Sequence, residues 1–406
     1  VVATFFISLY AAGAVFYGFT TVFEPIANEM GWSYTQISFA ASLRGLEMGL
    51  LAPLTGVLVD RLGARKLVFG GGIITAAGLL MLRYTTSLGM FYAAFILIAI
   101  GMSSCTFNVP MTAVANWFKK KIGIASGIAL SGFGFGGILI PTMVKLIDSY
   151  GWRTTMVILA VGMLIIVLPL SLLYRRKPEQ YGYVLDGEAE GPATAGKLLA
   201  PSAVAQVDVK TKQAIRTGAF WIMTLAFTAH MVVVQAVITH VMPYLSSIGI
   251  ARATSGLVAS GVPLVSIAGR LGLGWLGDKM DRRLVAAGCL AMMGLGLLCF
   301  GCASSVGIWL LVPFLIFFGV GYGGSNTQRT SLPREYFGRA SFGTLFGLMT
   351  GINTLGSIVG PPLAGWAFDT WGSYQGIWYI LAGLPLLAMM AMLSMPKPAS
   401  GPQQTR

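Results

Sequence analysis

The sequence predicts an all-α membrane protein of twelve transmembrane helices arranged as two six-helix bundles. Three observations carry this expectation. Only 10% of the 406 residues are charged against 55% hydrophobic, and mean hydropathy is +0.76; a soluble domain carries about 25% charge. The apolar residues gather in runs long enough to cross a hydrocarbon core about 30 Å thick. Six such runs precede a polar insert and six follow it.

In chain order the runs cover 2–24, 34–58, 67–86, 90–114, 123–147, 153–174, 218–245, 253–277, 284–304, 307–331, 342–367 and 376–395. The expected organisation is an N-terminal bundle (1–174), a linker (175–217), a C-terminal bundle (218–396) and a tail (397–406). The linker is rich in Lys, Glu, Ala, Gly and Pro without apolar periodicity and reads as a solvated tether, with room for a short amphipathic helix before "RTGAFW". The first run lacks an A-x-A cleavage pattern and fits the array as a helix rather than a signal peptide; a short segment is expected to precede Val1. The 53 glycines and 20 methionines suit helices packed closely in lipid.

A net charge of +13 is compatible with nucleic-acid binding, but the basic residues sit in short clusters between apolar runs and not on a soluble module, so no nucleic-acid partner is expected. With both termini cytoplasmic, 21 of the 27 Lys and Arg lie on the inner side, and only Arg83, Lys145, Arg153 and Arg252 on the outer. That asymmetry predicts a multi-pass protein of the inner cell membrane. Arg44 and Arg270 remain in mid-span. Cys105, Cys289, Cys299 and Cys302 all fall in apolar runs; "CFGC" has redox or metal spacing, yet on a membrane helix it reads as packing. No metal or cofactor is expected, and the chain is expected to be monomeric and not an enzyme.

The halves repeat each other. "GVLVDRLGARK" (Gly56 to Lys66) follows the second run and "GWLGDKMDRRL" (Gly274 to Leu284) the eighth. "GIASGIALSGFGFGGILIP" has a looser echo in "GTLFGLMTGINTLGSIVGP". Parallel six-helix repeats bearing a G-x-x-x-D-R-x-G-x-R-K loop resemble the major facilitator superfamily over essentially the whole chain. The first loop copy is complete; in the second, Asp281 replaces a glycine. The resemblance implies two bundles rocking about a midplane site. Asp60, Arg61 and Arg65 in the first loop, with Asp278 and Lys279 in the second, are candidate cytoplasmic gate residues, or simply the charges that set topology.

"NWFKKKIGIASGIALSGFGFGG" (Asn116 to Gly137) resembles the signature of monocarboxylate carriers and of their oxalate–formate antiporter relatives. Such carriers hold an arginine in the eighth span that binds substrate carboxylate, a role that falls on Arg270. The chemistry stands without the family: a guanidinium presents a planar fork of donors and stays charged at any relevant pH. The alternative is a structural ion pair, with Glu47 as partner. Proton-coupled animal members carry an aspartate one turn before the arginine, where this chain has Ser266, and a lysine in the first span, where it has Gly18. Oxalate carriers add a lysine in the eleventh span, and "TLFGLMTGINTLGS" contains none. One fixed cation favours a small monocarboxylate such as lactate, pyruvate or acetate.

Coupling to protons requires a titratable group in the cavity. Arg44 and Glu47, at i and i+3, form either a proton site or a self-neutralised packing pair. His230 and His240 lie ten residues apart on different faces; His240 is the candidate for substrate or proton contact, or else a packing histidine. Asn108, Asn326 and Asn353 are candidate substrate-orienting groups, and Phe318 with Tyr322 a candidate aromatic wall; interhelical bonding is the alternative for each. The predicted function is secondary transport of a small monocarboxylate, with proton symport. The rivals are an organic-anion antiporter, a cation or drug exporter, which would need uncompensated acids, and a non-transporting receptor, which would need a larger soluble module.

Overall fold

The computed structural model describes residues 1–45, 49, 51–105, 108–115, 117–118, 122–174, 211–338 and 342–396. These form helices and connecting turns with no strand among them. Ten segments are long and apolar enough to cross a membrane. One of these, Ile124–Leu172, is 49 residues long. As a straight helix it would measure about 74 Å, more than twice the core thickness. Gly151 breaks it with φ 76° and ψ 159°, a conformation open to glycine, so the segment makes two passes. The expected second run appears as two shorter helices, α3 (Tyr34–Leu43) and α4 (Ala52–Leu62). The chain is therefore the all-α, multi-pass protein that its hydropathy predicts.

The remaining N-terminal helices are α1 (Val2–Ala11), α2 (Phe19–Met30), α5 (Ala64–Arg83), α6 (Leu88–Cys105), α7 (Asn108–Ala115), α8 (Ile122–Phe135) and α9 (Leu139–Leu172). After the four-residue α10 (Thr211–Ala214) come α11 (Gly218–Ser247), α12 (Arg252–Lys279), α13 (Arg282–Val306), α14 (Leu311–Phe337), α15 (Phe342–Trp371) and α16 (Gln375–Ser394). We call the end where Tyr174 and Thr211 emerge the linker end, and the opposite end distal. In the first half α5 packs on α6 and α9; in the second α12 lies along α14, α13 on α14 and α16, and α11 on α15. Across the seam α3 meets α15, α9 meets α12 and α2 meets α11.

Small residues set the closest approach. A Cβ on Gly323 of α14 would overlap the Ser266 carbonyl oxygen of α12, and one on Gly269 the Val320 carbonyl oxygen. With no side chain at these points the two backbones touch, and the register of α12 against α14 is fixed. The first loop copy turns at Gly63, with φ 81° and ψ 153°. The second reaches its next helix differently: Asp281, at φ −56°, accepts the Arg283 N–H and caps α13, so the glycine is dispensable there.

Polar contacts latch the seam at the distal end. Ser33 opens α3 with a capping box, and the exposed N-terminal amides of that helix meet Asp369 of α15. Tyr34 N–H donates to Asp369 at 3.0 Å, Thr35 N–H at 2.8 Å and Thr35 Oγ1 at 2.6 Å. A carboxylate at a helix N-terminus is favoured by the donors and the dipole together. Pro362 has no N–H, which leaves the Ile358 carbonyl without its helical donor; Ser42 Oγ supplies one at 2.5 Å. Arg252 pairs with Asp148 at 2.8 Å and donates to the Thr21 carbonyl at 2.5 Å.

At the linker end the described ion pairs stay within the second half. Asp278 bonds Arg282 at 2.5 Å and Arg282 reaches Glu335 at 3.3 Å, while Lys279 Nζ lies 3.9 Å over the Trp275 ring. Arg61 and Arg65 are exposed at the first loop, and the Asp60 side chain lies outside the described set.

Three outcomes follow from these contacts. Gly323→Ala should lower the thermal midpoint of the purified protein by several degrees, because overpacking costs about 1–3 kcal/mol. Gly288→Ala, whose Cβ meets nothing within 4 Å, should leave the midpoint unchanged or raise it slightly. Asp369→Asn removes a charge-assisted contact worth about 1.5–3 kcal/mol. Spin labels at the exposed distal positions Thr86 and Ser305 should then show a longer inter-label distance that the parent protein lacks.

Candidate functional site

Midway along the seam the first span departs from α-geometry. Ala12–Tyr17 forms a π-helix, which widens the turn and leaves carbonyls without their usual donors. Arg44, only 5% exposed, fills that gap: Nη1 donates to the Phe16 carbonyl at 2.6 Å and to Val15 at 3.4 Å, and the guanidinium lies 4.7 Å over the Phe19 ring. Glu47, its expected proton-site partner, lies outside the described residues.

The π-turn delivers Tyr17 to the seam, where its hydroxyl meets that of Tyr322 of α14 at 3.4 Å. The Arg270 guanidinium of α12 lies 6.0 Å from the Tyr322 ring and within electrostatic range of Tyr17. Arg270 precedes Asp278 by eight residues, which is about 12 Å of helix. Its Nε is buried with no hydrogen-bond partner, and among the described residues no acid pairs with it. Ser266, one turn earlier, donates to the Pro263 carbonyl of its own helix at 2.7 Å. The arrangement is a guanidinium close to two tyrosines with no counter-ion among the described residues, a chemistry that can take up a small anion.

Other candidates fall in different places. His240 is fully buried in the distal latch, away from the Arg270 cluster. Its Nε2 lies 2.9 Å from both the Pro361 carbonyl and Ser38 Oγ, and Nδ1 lies 2.9 Å from the Tyr374 hydroxyl. Ser38 donates to the Tyr34 carbonyl, so the network assigns the proton to Nε2 and makes Nδ1 the acceptor. Phe318 is fully buried and stacked on Phe314, in the same apolar cluster that takes in Tyr17 and Tyr322. Asn326 donates back to the Tyr322 carbonyl at 3.2 Å. Asn353, 2% exposed, accepts from Thr228 Oγ1 at 3.0 Å and has an unpartnered Nδ2. Asn108 opens α7; its side chain is outside the described set.

Two residues that the sequence did not single out for this site join it. The His230 ring stacks on Tyr322 at 6.0 Å, with Nδ1 3.2 Å from Met293 Sδ and Nε2 unpartnered. Arg329 of α14 is in electrostatic range of both His230 and Tyr322, and its Nε is also buried without a partner. Their signal in the sequence is spacing: Tyr322 and Arg329 are two helical turns apart on one face.

The cluster is sealed on its distal side. Tyr17, Ile140, Val237, Val241, Val262 and Pro263 are among the walls of a space of about 10 Å³, room for about one water. A separate cavity of about 410 Å³ near Val1, Val114 and Phe118 is mostly apolar, and its Thr4 and Tyr174 hydroxyls bond each other. That cavity has no part in the Arg270 cluster. Among the described residues no group of three or more His, Cys, Asp or Glu could hold a metal ion.

Comparison with known proteins places this geometry. The model of the Major Facilitator Superfamily matches residues 5–251 and 231–406. The chain is 25% identical over 390 residues to monocarboxylate transporter 12 of Rattus norvegicus, covering 92% of this chain and 80% of that protein. It is 26% identical over 386 residues to monocarboxylate transporter 13 of the same species, covering 94% and 83%. In architecture it is similar to a bacterial homolog of the human lysosomal transporter Spinster, solved inward-facing and unoccupied, with a TM-score of 0.69 at 17% identity and 98% of each chain covered. The chain belongs to the Major Facilitator Superfamily and is a multi-pass membrane carrier rather than an enzyme.

Proposed function

We propose that the protein carries small carboxylate anions, monocarboxylates of the lactate, pyruvate or acetate kind, across the inner cell membrane by alternating access, with proton symport. The observation that carries this reading is Arg270: a guanidinium at membrane depth, at the seam between halves, beside the Tyr17 and Tyr322 hydroxyls and with no acid paired to it among the described residues. The similarity to monocarboxylate transporters supports the same substrate class.

The physical steps follow from that charge. Unfilled, the guanidinium draws a small anion from the open side. At 4 Å and an effective dielectric near 20, a carboxylate gains about 4 kcal/mol of Coulomb energy. The planar fork orients the carboxylate, and the two tyrosine hydroxyls are donors of the right kind for its second oxygen. Neutralising the charge removes the penalty of enclosing it, which permits the halves to close over the site. The distal latch at Asp369 and His240 then releases while the loops of the linker end, with Asp60, Arg61, Arg65, Asp278 and Lys279, come together. Both termini lie on the cytoplasmic side, and one chain forms the working unit. Glu47 with Arg44 is the proton site in this scheme.

Proteoliposome uptake of labelled lactate, acetate and formate tests it. The Arg270→Lys protein, which keeps charge but loses the fork, should show uptake reduced at least tenfold. An inward proton gradient should accelerate uptake in the parent protein and have no effect after Glu47→Gln. Normal transport by Arg270→Lys would remove the anchor role. Indifference of the parent to the proton gradient, with acceleration by internal anion, would identify an antiporter of the oxalate–formate kind.

A further inference from the structure

The expectation of a monoanion rests on Arg270 being the only fixed cation in the cavity, and the structure adds a second. Arg329 lies eight residues before the end of α14, as Arg270 lies eight before Asp278 near the end of α12. The two helices run side by side in the same direction, and Thr327 Oγ1 donates to the Arg270 carbonyl at 3.4 Å, which puts these segments at one depth. The Arg270 guanidinium lies 6.0 Å from the Tyr322 ring, and Arg329 is in electrostatic range of the same residue.

Around Arg329 the buried polar atoms are left open. Arg329 Nε and His230 Nε2 have no hydrogen-bond partner, and no acid pairs with Arg329 among the described residues. His230 is fully buried and held by the Tyr322 stack and Met293, so its free nitrogen is fixed in place. Buried polar atoms are normally satisfied, and two orphans from the adjacent helices α14 and α11 are the outline of a missing partner. A single carboxylate on Arg270 would leave the second guanidinium uncompensated in a low dielectric.

We infer that Arg329, with His230, forms a second carboxylate subsite, so that the carrier accepts dicarboxylates spanning Arg270 and Arg329. This rests on the reading of Arg270 as the carboxylate anchor. It widens the substrate class from one acidic group to two, and it assigns the second pole to α14 rather than to the eleventh span, which has no cation in "TLFGLMTGINTLGS".

Calorimetric titration of the full chain in detergent with malonate, succinate, their monomethyl esters and acetate tests the subsite. The parent protein should bind at least one diacid one-to-one and at least tenfold more tightly than its monoester. Arg329→Gln should abolish that preference, bringing diacid and ester to within about twofold, and Arg329→Lys should keep part of it. Two acetates per chain, falling to one in Arg329→Gln, would also support the subsite, with the second carboxylate supplied by a second molecule. Equal affinity of the parent for every diacid and its ester, with one acetate bound, overturns the inference and needs no variant to fold. A preference that survives Arg329→Gln overturns it as well. Those results leave Arg270 as anchor, whereas absence of all carboxylate binding removes the anchor reading and the subsite together.

Discussion

An arginine held at membrane depth without a described counter-ion is the constraint on which the rest of this structure turns. A charge in a medium of low dielectric is expensive unless it is paired or hydrated. Arg44 meets that requirement inside the first half, where the π-turn of the first span offers carbonyls and Phe19 a ring face. Among the described residues Arg270 and Arg329 have no such partner, and both keep a buried Nε without a hydrogen bond. The contrast separates a guanidinium bonded to carbonyls of its own half from the guanidiniums for which we propose a ligand.

The packing around those charges keeps the cost tolerable. Glycines in α12 and α14 bring the two backbones into contact and hold Arg270 in register with Tyr322. The distal latch joins α3 to α15 through Asp369, His240 and Ser42, and below it apolar side chains leave room for little more than one water. These latch bonds use a helix N-terminus and a proline-freed carbonyl, which rigid bundles can make or break without refolding. The ion pairs of the second loop copy, Asp278 to Arg282 to Glu335, lie within one half and brace α12, α13 and α14 as a unit.

Much of this is legible in the sequence, for physical reasons that differ by element. Spans are legible because lipid admits only long apolar helices, so composition alone marks them. Arg270 is legible because the loop "GDKM" fixes the helix end and therefore the depth of every residue before it. Arg329 is not, because the apolar run 307–331 ends two residues beyond it and it counts among the topology-setting charges. The helix in fact continues to Phe337, which moves Arg329 about 9 Å deeper than the run suggests. His240 is a visible histidine, but whether it faces the cavity depends on how α3 meets α15, a contact between residues over 300 apart in sequence. Phe318 and Tyr322 share a helical face by spacing and are buried in one apolar cluster, but that Arg270 lies 6.0 Å from the Tyr322 ring depends on how α12 packs against α14.

The central claim is that Arg270 is an uncompensated charge held for a carboxylate. Thermal unfolding of the purified protein with and without saturating carboxylate tests it most directly, comparing the parent with Arg270→Met. A buried charge without a partner destabilises the empty protein, so its replacement by an apolar side chain of similar length should raise the ligand-free midpoint by several degrees. The same replacement should abolish the upward shift that carboxylate produces in the parent. A ligand-free midpoint lowered by Arg270→Met, with the carboxylate shift intact, would mean that the guanidinium is satisfied within the fold and is not the anchor.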